Sequence, residues 1–170
     1  MTVPSDGSVT TAKLGDGSVT SAKLDSGVAL GKVLQVVQSV HSTQVNQGST
    51  SYSATGLSGS ITPSSTSNKI LVSVQQYFTF RVTTSSERQA GFKLLRDSTD
   101  LNEYFYALVG QQGSADFRIP CVSTYSFLDT PSTTSAITYS TQFKLNGTSS
   151  DLYAQNDGSP STITLMEIAG

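Results

Sequence analysis

The stretch Lys69-Ile70-Leu71-Val72-Ser73-Val74-Gln75-Gln76-Tyr77-Phe78-Thr79-Phe80-Arg81-Val82 decides the fold class. Ile70, Val72, Val74, Phe78, Phe80 and Val82 recur at every second position, and only Gln76 interrupts the row. Lys69, Ser73, Gln75, Thr79 and Arg81 occupy the other phase. Successive side chains of an extended chain point to opposite faces, so this period of two predicts a strand with one face in a core and one in water.

Working outward, Phe117, Ile119, Cys121, Tyr125 and Phe127 repeat the pattern, and Ile137, Tyr139, Phe143 and Leu145 alternate with Thr138, Ser140, Gln142 and Lys144. Weaker strands are expected at 33–40, 50–56, 90–97, 101–109, 151–155 and 162–168. Turn formers separate them: Thr62-Pro63-Ser64-Ser65, Gly110 to Gly113, Asp129-Thr130-Pro131, Asn146-Gly147 and Asp157-Gly158-Ser159-Pro160. After residue 31 no stripe of helical period is present. Eight or nine short strands with polar turns predict an all-β domain over residues 32–170, an antiparallel two-sheet sandwich of jelly-roll type. An immunoglobulin-like sandwich is the nearest rival, disfavoured because the chain has no Trp and a single Cys.

The last strand is apolar in both phases, with Ile163 and Leu165 on one face and Met166 and Ile168 on the other. A strand apolar on both sides is covered on both sides. Met166 and Ile168, with Tyr104 and Tyr106 of the ring-rich stretch Tyr104-Phe105-Tyr106, are therefore candidates for a subunit interface.

Residues 1–31 read differently. Asp6-Gly7-Ser8-Val9-Thr10-Thr11-Ala12-Lys13-Leu14-Gly15 is followed at once by Asp16-Gly17-Ser18-Val19-Thr20-Ser21-Ala22-Lys23-Leu24-Asp25, identical at eight of ten positions. One copy offers too little apolar surface to offset the entropy of ordering its backbone, about 1–2 kcal/mol per residue. Such repeats order by stacking on sister chains or on another protein. The regular spacing of Val9, Leu14, Val19 and Leu24 marks an extended arm that oligomerises or docks, against the blander reading of a flexible linker.

Composition narrows the function. The net charge is −2, and charged residues make up 13% of the chain, so no basic patch is available for nucleic acid. Ser and Thr number 51 of the 170 residues, giving a surface solvated by hydroxyls. No apolar run approaches the roughly 20 residues of a membrane helix, and the first residues lack the pattern of a secretory signal. One Cys and one His are too few for a zinc site. No metal or other cofactor is expected.

Catalytic signals are weak. His41 is the only imidazole and has no nucleophile motif around it. Cys121 lies in phase with Phe117 and Ile119 and reads as a small core residue. Asp97, Asp100 and Glu103 cluster at an expected turn, and Asn146-Gly147-Thr148 reads as a hairpin tip rather than a glycosylation site. The chain is expected to be a non-enzyme.

The tandem decapeptides resemble repeats of bacteriophage tail-fibre and virion-appendage proteins. Gly31-Lys32-Val33-Leu34-Gln35-Val36-Val37, Ile61-Thr62-Pro63-Ser64-Ser65-Thr66-Ser67-Asn68-Lys69-Ile70 and Ser161-Thr162-Ile163-Thr164-Leu165-Met166-Glu167-Ile168 are similar to stretches of short phage structural proteins. The resemblance implies a virion location and a homotrimer with an N-terminal attachment region and a C-terminal β-sandwich knob. It further implies a capsid or tail protein as the arm's partner, and host adhesion at the knob. A shell-decorating cement protein and a domain that binds or degrades host surface polysaccharide are the alternatives.

Overall fold

The alternation of 69–82 is realised as one long strand, and the rest of the sandwich is laid against it. The computed structural model describes residues 32–82, 88–109, 117–146 and 150–170; the side chains of residues 82, 88, 104–109, 117 and 150 are not described. Within these residues lie ten strands: β1 (Val33–His41), β2 (Val45–Gln47), β3 (Ser53–Ile61), β4 (Lys69–Val82), β5 (Arg88–Arg96), β6 (Thr99–Val109), β7 (Phe117–Asp129), β8 (Ile137–Leu145), β9 (Ser150–Ala154) and β10 (Ser161–Ile168). The arm, with Val9, Leu14, Val19 and Leu24, lies outside the described residues.

β4 organises the first sheet. β7 pairs along its whole length, from Ile70↔Asp129 to Val82↔Phe117. The opposite edge of β4 is shared, with β10 on Lys69–Gln75 and β9 on Phe78–Val82. β1 then pairs β10, and β2 pairs β9. Two of the four lanes are thus broken, one between β1 and β2 and the other between β9 and β10. The second sheet has the order β3-β8-β5-β6, and all its pairings are antiparallel. With each broken lane counted once, the lanes run 1-8-3-6 in one sheet and 2-7-4-5 in the other, the jelly-roll order.

Three departures from the sequence expectation have a local reason. The strand expected at 50–56 is Ser53–Ile61, and its pairing with β8 shifts between Ala54 and Ser58, where Gly56 has φ 87°. β2 is only three residues long, too short to show a period. β5 stops at Arg96 because Asp97 takes φ 51° and opens a tight turn that returns Thr99 opposite Arg96.

The core comes in two halves. Leu57, Ile61, Ile70, Val72, Val74, Leu94, Ile137, Tyr139, Ile163 and Leu165 form one cluster; Phe78, Phe80, Ala90, Phe92, Phe143, Leu145, Leu152 and Ala154 form the other. Between them runs a buried polar belt, and Gln76, which broke the row in the sequence, is its centre. Gln76 Nε2 donates to Ser161 Oγ at 2.8 Å, and Gln76 Oε1 accepts from Thr141 Oγ1 at 3.1 Å. Thr141 Oγ1 in turn meets Thr55 Oγ1 at 2.5 Å. Gln155, in the left-handed region at φ 53°, turns its amide inward. Oriented to satisfy its neighbours, it donates to Thr55 O at 3.0 Å and accepts from Ser161 Oγ at 2.9 Å. The ring closes at the level where β9 gives way to β10. A buried amide without partners costs about 1–3 kcal/mol, so the mutual satisfaction is what lets these groups sit there.

Candidate interaction face

The polar assemblies that could carry chemistry are closed on themselves. Glu167, on the inner face of β10 and 1% exposed, accepts from Ser64 N at 2.6 Å, Ser64 Oγ at 2.8 Å and Asn68 Nδ2 at 2.6 Å on one oxygen. Its other oxygen accepts from Gln35 Nε2 at 2.6 Å. Burial by itself would raise its pKa, but these four donors outweigh burial and hold it at about 2. The carboxylate thereby ties the Thr62–Asn68 loop to β1 and β10.

Asp129 ends β7 and receives Arg96 Nη1 at 2.7 Å and Tyr139 OH at 2.7 Å, bridging the sheets. Burial first, and then the bond to Asp129, push the Tyr139 phenol well above its ordinary value.

The other chemical candidates are structural in their placement. His41 packs over Gly56, where a Cβ would lie 2.3 Å from His41 Nε2. Cys121 is half-buried on the inner face of β7, and burial pushes its thiol pKa up. Asp97 Oδ1 accepts from Thr138 N at 3.0 Å, and Asp100 pairs with Lys93 at 2.7 Å. Glu103 lies 3.6 Å from Lys144. Asn146 Nδ2 donates to Gln89 Oε1 at 3.0 Å, while Gly147 and Thr148 are outside the described residues. Among the described residues no group of three His, Cys, Asp or Glu is placed to hold a metal ion.

The unexplained chemistry is on the outer face of the first sheet. Cross-strand registers align Val36 of β1 with Met166 of β10, Met166 with Leu71 of β4, and Leu71 with Leu128 of β7. An apolar row therefore crosses all four lanes, about 14 Å from end to end at the usual strand spacing. Its ends are open, with Val36 at 57% and Leu128 at 52% exposure, while Met166 and Leu71 are half-buried. Ile168 and the exposed Leu34 widen it toward one end of the sheet. The next row is of opposite character. Gln38 Nε2 donates to Thr164 Oγ1 at 3.0 Å, and Ser73 and Ser126 hydroxyls meet at 3.2 Å.

Met166 and Ile168 both fall on the outward face of β10, opposite to Ile163 and Leu165. Tyr104 and Tyr106 are placed on β6 in the other sheet, and their side chains are outside the description. Val36, Leu71 and Leu128 were not singled out in the sequence. The available signal was an aliphatic residue in the polar phase of β4 and of β7; the row itself needs the register, which no single strand contains.

No protein-family model and no curated protein matches the chain. Among solved structures it is similar to the viral particle of infectious bursal disease virus, at 13% identity over 81% of this chain and 38% of that one, with a TM-score of 0.37. A mutant VP2 protein of the same virus gives 13% identity over 79% of this chain and 36% of the other, TM-score 0.34. Dimeric latent PorU from Porphyromonas gingivalis gives 8% identity over 83% of this chain and 14% of the other, TM-score 0.36. The chain spans well under half the length of each.

Proposed function

We propose that this chain is a non-enzymatic structural protein of a phage virion: a jelly-roll knob held on the particle by residues 1–31 and associated with sister copies as a trimer. The observation that carries the reading is the apolar row Val36–Met166–Leu71–Leu128. It lies on the broad side of a sheet, in register across four lanes, and it is the surface that a side-by-side neighbour would cover. The tandem Val/Leu repeats of the arm support attachment to another virion protein. A hydroxyl-rich exterior of low net charge suits a particle dispersed in water.

The placement of the row on the broad outer face of the sheet equally supports a cement protein that lies against the shell. Copy number separates the two: a decorating protein follows shell symmetry, whereas a fibre is present in few copies. Polysaccharide binding has less support, because every described aromatic side chain is buried or half-buried. The test is incorporation. A chain lacking residues 1–25 is expected to keep its thermal unfolding transition and to be missing from purified particles. Normal incorporation of that truncated chain would overturn the attachment role.

A further inference from the structure

Five strands form the borders of the two sheets, and four of them are blunted, β2 by being only three residues long. β7 carries Arg118, Pro120 and Asp129, and β6 carries Asp100 and Glu103. β3 is bent by the register shift at Ala54/Ser58. Charges, proline and bulges are the usual means of preventing an edge from pairing with a further strand. β1 has none of them over most of its length. Val33-Leu34-Gln35-Val36-Val37-Gln38-Ser39-Val40-His41 holds no Asp, Glu, Lys, Arg or Pro, and its one irregularity is confined to Val33/Gln35. Among the described strands it pairs with β10 alone. Four of the six large exposed hydrophobic side chains of the described residues are on it: Val33, Leu34, Val36 and Val40.

The chain outside the described residues also leads here. The 31-residue arm joins β1 through Lys32, whose carbonyl accepts from Ala169 N at 3.0 Å. Fully extended it reaches roughly 100 Å, whereas the sandwich has a radius of gyration of about 14 Å. For the arm to fold back on its own β1 it would have to reverse at the foot of that strand. That end is flanked by the Thr62–Asn68 loop, held through Gln35 Nε2 to Thr62 O at 2.8 Å, and by Ala169 and Gly170.

We infer that the free edge of β1 is a strand-addition site for the arm of a sister copy, residues 16–25 supplying the added strand. Val19 and Leu24 are an odd number of residues apart, so an extended segment presents one to each face. An edge strand has both faces to offer: the outer one with Val36 and Val40, the inner one beside β3. Three copies exchanging arms in one direction close a ring, so the inference rests on the reading of the chain as a trimer and names what holds it together.

The test uses the full-length chain in solution, without particles. Wild type is expected to be trimeric by light scattering, and amide exchange in residues 16–25 and in β1 is expected to be slowed roughly tenfold or more relative to an open segment. The variant Val40→Lys changes one exposed side chain of β1 outside the apolar row and is expected to keep its melting transition while losing the trimer and the protection of 16–25. In a Cys121→Ser background, mild oxidation of mixed Thr20→Cys and Val40→Cys chains is expected to yield a species of twice the chain mass. Mixed chains that stay uncoupled while a single chain carrying both Thr20→Cys and Val40→Cys cross-links at unchanged mass overturn exchange between copies, and an unprotected arm in a wild-type trimer overturns docking altogether. Absence of the chain from virions would instead sink the particle assignment and leave these outcomes untouched.

Discussion

Replacing Glu167 by Gln tests the logic of the polar assemblies most directly. The folded carboxyl is held at about 2 against an ordinary value of 4.5. A depressed pKa stabilises the fold above the unfolded value, and the contribution is lost as pH falls from about 4.5 toward 2. Through linkage the full difference corresponds to roughly 3 kcal/mol. A Gln side chain can turn its amide to keep some of these bonds, so about 2 kcal/mol is expected. Gln keeps the shape but aims an amide N–H₂ at donors, either at Ser64 and Asn68 or at Gln35. At pH 7 the variant is expected to unfold about 2 kcal/mol more easily, a midpoint lower by roughly 7 °C for a domain of this size. Urea unfolding followed from pH 7 to pH 2 is the assay. The gap between wild type and Glu167→Gln is expected to close across the acid range, because protonation turns the wild type into a near copy of the variant. A gap that stays constant with pH would show that the carboxylate's charge contributes nothing, and a variant as stable as wild type at pH 7 would show the same for its bonds.

Two other perturbations follow from the same structure. Gly56→Ala places a Cβ against His41 Nε2 at a residue with φ 87°, so a loss of about 1–3 kcal/mol in urea is expected, and removing the imbidazole by His41→Ala is expected to restore only the steric part. Gln76→Leu removes the centre of the belt and takes one partner each from Ser161, Thr141 and Gln155, costing about 1–3 kcal/mol despite the gain in hydrophobicity; a neutral or stabilising result in calorimetry would refute the claim that the belt is mutually satisfied.

The long strands were legible because each carries its own evidence. Four to six apolar residues in one phase of 69–82, 117–127 and 137–145 leave no alternative to a half-buried strand, and the two-sheet sandwich follows from their number and turns. What was hidden is what depends on pairs of strands. The row Val36–Met166–Leu71–Leu128 exists only through three separate registers. Leu71 and Leu128, each a single residue in a polar phase, are unremarkable until they are placed side by side. Gln155 and Asn156 belong to a turn rich in polar residues, which composition assigns to water, yet they are 0% and 3% exposed. A left-handed residue turned the first of them inward, and backbone conformation of that kind is not written in side-chain periodicity. Gln76 was visible as a fault in the row; its partners come from β8, β10 and the turn before β10, too far along the chain for spacing to connect them.

The belt has a consequence for how the sandwich settles. A strand that slips by two residues keeps its greasy side inward, so a wholly aliphatic interior would tolerate the mistake. Here such a slip by β4 would drive the Gln76 amide into aromatic or branched neighbours and open the ring that joins hydroxyls from three other strands. The interior therefore works as a key with one notch, accepting a single alignment of the layers and rejecting its near misses.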